Sequence, residues 1–72
     1  MTHPPTTNSL GLDTTPRLAD PDAVYEALID AHQGLSPEQS ALLNAKLILL
    51  LVNQVGDAHI VAAALAEARR GL

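Results

Sequence analysis

His3, His32 and His59 are the residues of this chain best suited to chemistry, since a neutral imidazole ligates transition metals and exchanges protons near neutral pH. Glu26 and Asp30 stand four apart, the spacing that places two carboxylates on one helix face, where an acid and a base can be made from the same residue type. Ser9, Ser36 and Ser40 offer hydroxyls, which become nucleophiles only beside a base. There is no cysteine, so thiolate catalysis, disulfides and mixed Cys/His metal sites are excluded together. Whether any of these groups can act depends on the elements that carry them.

Those elements are punctuated clearly. In "DPDAVYEALIDAHQGL", Asp20 is a good N-cap, Pro21 occupies the first-turn position that tolerates proline, and Asp22 complements the positive end of a helix. The pattern predicts a first helix over 21–33. Its apolar stripe is Val24, Tyr25, Leu28, Ile29 and His32, opposite Glu26, Asp30 and Gln33, with Gly34 as terminator. Ser36 then opens "SPEQ", in which Gln39 stands at the capping-box position, and predicts a second helix over 37–55. Gly56 ends it and Asp57 caps a third, over 58–70, expected to present Ile60, Val61, Ala64, Leu65 and Ala68 on one side, with Arg69 and Arg70 at its negative end. Residues 1–19, rich in Thr and Pro, read as a flexible tail in which Leu10, Leu12 and Leu18 are the apolar exceptions. Residues 20–72 are then an all-α domain of three short antiparallel helices, because links this short turn each helix back on its predecessor.

On that frame the chemical readings weaken. His32 ends the first helix and His59 begins the third, at opposite poles of an up-down-up chain, and His3 lies in the tail, so no metal site is expected. Glu26 and Asp30 lie away from the apolar stripe, in water, where nothing separates their proton affinities. Ser36 is accounted for by capping, and neither Ser9 nor Ser40 has a base nearby. "NSLGLD" is similar to the Asp-Ser-Leu attachment site of acyl carrier proteins, but Asn precedes Ser9 and no helix starts there. The expectation is a chain without catalytic residues, metal or cofactor of its own, and so not an enzyme.

Composition narrows the partners. A formal charge of −4 with only four Lys and Arg argues against nucleic acid and against anionic membranes. The start "MTHPPTTNSLGL" has neither the positive region nor the apolar stretch of a secretory signal, which with the absence of cysteine places the expected location in the cytoplasm. A chain of 72 residues buries only about 60% of its unfolded surface and usually needs a disulfide, a metal or another chain to supplement its core. Phe and Trp are absent and Tyr25 is the single aromatic, so the load falls on aliphatic side chains.

"KLILLLVNQ", residues 46 to 54, is where that load concentrates, with six large aliphatic residues in succession from Leu47 to Val52. The run is too short to span a membrane, which takes about 20 apolar residues, and it is flanked by Asn44, Lys46, Asn53 and Gln54. On a helical wheel Gln39, Lys46 and Asn53 share one narrow polar strip, and the apolar side chains spread over most of the rest. Two neighbouring helices, one short and one built mainly of alanine, cannot cover so wide an arc. The surplus face, with Leu43, Leu47, Ile48, Leu50, Leu51 and Val55, is therefore expected to be an interface. Asn44 falls inside that arc, between Leu51 and Val55. It is either a partly exposed amide near the interface end or one that specifies register and partner.

The segment "DPDAVYEALIDAHQGLSPEQSALLNAKLILLLVNQVGD" resembles a family of short bacterial proteins classed only as a domain of unknown function, over roughly residues 20 to 70, with "LSPEQSALLNAKLILLL" the most telling portion. Members are often encoded beside FAD-dependent aromatic-ring hydroxylases. The resemblance therefore implies a small accessory subunit or stabiliser of such a flavin enzyme and brings no catalytic residues. The alternative is a homo-oligomeric helical bundle with a structural or regulatory role, its seam rimmed by Gln39, Lys46 and Asn53.

Overall fold

The computed structural model describes residues 11–72. Among them the backbone forms three α-helices and no strand: α1 Pro21–Ala31, α2 Pro37–Val55 and α3 Ala58–Arg69.

The starts of the helices follow from local chemistry. The Asp20 carboxylate accepts from the Ala23 N–H at 3.0 Å, ahead of Pro21. At α2 the capping box closes both ways: the Gln39 N–H donates to Ser36 Oγ at 3.1 Å, and the Ser36 N–H donates to Gln39 Oε1 at 3.0 Å. Asp57 caps α3 by accepting from the N–H groups of His59 and Ile60 at 2.9 and 3.3 Å. Ser36→Ala removes one of the two bonds of the box and should lower stability by about 1 kcal/mol, read as a fall in the urea midpoint, whereas Ser36→Asp should retain most of it.

The ends differ slightly from expectation. α1 stops at Ala31 rather than residue 33, because the N–H groups of His32 and Gln33 turn back to the carbonyls of Ile29 and Asp30 at 3.0 and 3.1 Å, the tighter i to i−3 bonds of a closing turn. Gly34 follows at φ +76°, and Gly56 at φ +67° ends α2, both in the left-handed region that a side chain disfavours. α3 ends at Arg69, and Arg70 pairs with Glu67 on the exposed surface, a contact worth little to stability.

The chain divides into two compact units. One spans residues 17–51, where α1 folds back along α2 as an antiparallel hairpin: Leu28 and Ala31 share a groove with Leu42, Leu43, Leu47 and Leu50, and His32 reaches Asn44. The other holds residues 11–16 with Val52–Leu72. Within it Ala63 is buried at 6% exposure and Ile60, Val61 and Glu67 are half-buried, while Leu65 is 64% exposed. The covered face of α3 thus runs through Ile60, Val61, Ala63 and Glu67: of the expected stripe Ile60 and Val61 are on it, while Ala64, Leu65 and Ala68 are exposed, so the face is rotated toward Ala63. A helix so rich in alanine carries too weak an apolar contrast to specify its own orientation.

Residues 11–19 contain no helix, and the Thr15 N–H donates to Asp13 Oδ1 at 2.9 Å in a local Asx turn. Leu12 is half-buried there and Leu18 is 60% exposed, whereas Leu10 and the first part of the expected tail lie outside the described residues. No helix among the described residues is long and apolar enough to cross a membrane.

Candidate interaction surface

Residues 48 to 51 are not shielded by the other described residues. Ile48, Leu49, Leu50 and Leu51 are 57, 70, 66 and 54% exposed, and only Leu47 and Val52 are half-buried. Ala63 is the one buried apolar residue among those described. Full burial of a large aliphatic side chain contributes roughly 1.5 to 3 kcal/mol, so recovering half of that at four positions is worth about 3 to 6 kcal/mol, comparable to the stability of a small domain. α2 therefore presents apolar surface far in excess of what its own hairpin covers.

Helical geometry divides that surface in two. Ser40, Leu43 and Leu47 are half-buried, and the two leucines lie across from Leu28 and Ala31 of α1. Beside them the hairpin opens an apolar groove of about 430 Å³, walled by Leu28 and Ala31 of α1 and by Leu42, Leu43, Leu47 and Leu50 of α2. Gln39 and Lys46 are the polar residues of its walls, so the expected polar strip borders the groove. Ile48, Leu51 and Val55 lie on another side of α2, 57, 54 and 50% exposed. Of the residues expected at an interface, the structure brings Leu43, Leu47 and Leu50 together at the groove and sets Asn44, Ile48, Leu51 and Val55 on a separate line. Leu28, Ala31 and Leu42 complete the groove: Leu28 belongs to the apolar stripe expected of the first helix and Leu42 is legible as the neighbour of Leu43, whereas Ala31 lies outside that stripe.

His32 and Asn44 join the two helices. His32 Nδ1–H donates to the Leu28 carbonyl at 2.6 Å, which binds one of the free carbonyls at the end of α1, and Nε2 lies 3.0 Å from Asn44 Oδ1. A carbonyl only accepts, so Nδ1 carries the hydrogen; Nε2 then donates to Oδ1 from a doubly protonated ring, or accepts from the amide nitrogen when the Asn44 amide is turned over. The link forms in either charge state. A double-mutant cycle on His32→Ala and Asn44→Ala should return a coupling of about 0.5 to 1 kcal/mol in urea unfolding. Additive losses would show that this bond does not hold α1 on α2.

The other chemically suited residues are not gathered. Glu26 and Asp30 sit on α1, every residue of which is exposed, and Ser36 is engaged in its cap. Among the described residues no group of three or more His, Asp or Glu is placed to hold a metal ion. His3 and Ser9 lie outside the described residues.

Residues 12–70 match a family described as Protein of unknown function (DUF2783). No curated protein and no solved structure matches the chain.

Proposed function

This chain belongs to the DUF2783 family, whose function is unknown, and we propose that it is a non-catalytic interaction protein: an accessory subunit or stabiliser of an FAD-dependent aromatic-ring hydroxylase, docked through the Leu-rich face of α2. The observation that carries the reading is the exposure of Leu49 and Leu50, 70 and 66%, beside a groove walled almost wholly by aliphatic side chains. A groove of that shape accepts an apolar helix or loop of another protein, with Gln39 and Lys46 supplying polar anchors at its wall. The sequence resemblance supplies the class of partner. The net charge of −4 and the scarcity of Lys and Arg favour a protein over a nucleic acid.

Co-expression of the tagged chain with an FAD-dependent aromatic hydroxylase from the same cell tests it. The expected result is retention of the hydroxylase on the affinity resin with its flavin bound, and a longer half-life of its activity at elevated temperature. A hydroxylase that passes through unretained at low salt, its thermal inactivation unchanged, would overturn the reading. Turnover of an aromatic substrate by the purified chain alone would make it an enzyme instead.

A further inference from the structure

We propose that a second copy of this chain packs against α2 in parallel and in register, along the line Ala41, Asn44, Ile48, Leu51 and Val55. This goes beyond the hydroxylase reading and uses the side of α2 turned away from the groove.

The spacing is 3, 4, 3 and 4, the alternation of a heptad seam. Ala41, Ile48 and Val55 take the a positions and Asn44 and Leu51 the d positions. In the C-terminal heptad Ile48 and Val55 at a with Leu51 at d have the pattern that favours two parallel strands over larger bundles. The polar strip supplies an independent check on the register: Gln39, Lys46 and Asn53, seven apart, all fall at f, the position farthest from the seam. They lie opposite a seam of this register and do not rim it. Within α2 no acidic residue follows Glu38, whereas α1 carries Asp22, Glu26 and Asp30. Two copies, each of charge −4, can therefore meet along this line without opposing carboxylates.

Every position of the line is exposed, with Ile48, Leu51 and Val55 at 57, 54 and 50%. Asn44 is already oriented, its Oδ1 held 3.0 Å from His32 Nε2. In either orientation of the amide one N–H stays free to donate to the Asn44 oxygen of the second copy, and an amide paired with itself across a seam fixes the register. A helix of 19 residues is about 28 Å long, so this line offers two heptads to the second copy.

Sedimentation equilibrium of the full chain between 1 and 500 µM should show a monomer-dimer equilibrium. Ile48→Asp should weaken it at least 100-fold while leaving the far-ultraviolet circular dichroism of the helices unchanged. Because the chain has no cysteine, single substitutions report orientation: Val55→Cys, at a seam position, should oxidise to a covalent dimer at least tenfold faster than Asn53→Cys at f. A folded chain that stays monomeric at 500 µM, a dimer indifferent to Ile48→Asp, or equal oxidation of the two cysteine variants would each overturn the proposal. Leu50→Lys, in the groove, should leave the dimer intact, so loss of hydroxylase capture and loss of self-association are separately readable.

Discussion

Leu50→Lys should abolish retention of the proposed hydroxylase partner, lowering affinity by roughly 30- to 1000-fold, while the isolated variant keeps the helical content of the wild type. The two halves of this expectation have one cause. Leu50 is 66% exposed in the free chain, so a lysine there stays in water, and its like-charge spacing from Lys46, four residues earlier, costs only a few tenths of a kcal/mol. Once the groove is occupied, the same ammonium sits among Leu28, Leu43 and Leu47 with Lys46 as its charged neighbour. Enclosing an unpaired charge there costs about 2 to 4 kcal/mol even after the side chain has bent toward solvent, which is the stated loss of affinity. Capture at wild-type strength, measured by titration of the hydroxylase against the immobilised variant, would remove the groove from the interface.

A contrast between Leu47→Asp and Leu49→Asp gives the second large effect, this time on stability. The two residues stand two apart on α2, but Leu47 is half-buried toward α1 and Leu49 is 70% exposed. A carboxylate at position 47 removes aliphatic contact with α1 and brings a charge against Leu28, an expected loss of about 2 to 3 kcal/mol. At position 49 the change is a surface substitution, worth about 0.5 kcal/mol or less. Urea unfolding followed by circular dichroism at low micromolar concentration separates them. Equal midpoints would mean that α1 does not cover the 43–47 side of α2, and the hairpin would have to be redrawn.

Both predictions rest on the same imbalance: within the hairpin of residues 17–51 Leu43 and Leu47 are half-buried, while Ile48, Leu49, Leu50 and Leu51 are more than half exposed. The His32–Asn44 bond sits at the margin between the two apolar sides. It joins α1 to α2 and sets the amide that the proposed second copy would read, so His32→Ala should loosen the hairpin and also blur the register of self-association.

What the sequence determined by itself was local. The start of each helix was legible because a cap is made within three or four residues: Asp20 to Ala23, Ser36 to Gln39, Asp57 to Ile60. The stops at Gly34 and Gly56 were legible because only glycine takes positive φ without strain. The surplus of α2 could be read as well, since six successive aliphatic residues leave a helix no dry side to choose. Tertiary structure decided what depends on contacts distant in sequence. It selected Leu43 and Leu47 as the covered side of α2, turned α3 on Ala63 rather than Ala64, and brought His32, twelve residues away, onto Asn44. An all-round apolar helix and an alanine-rich one carry no angular preference strong enough to fix their orientation, so packing against neighbours assigns their faces.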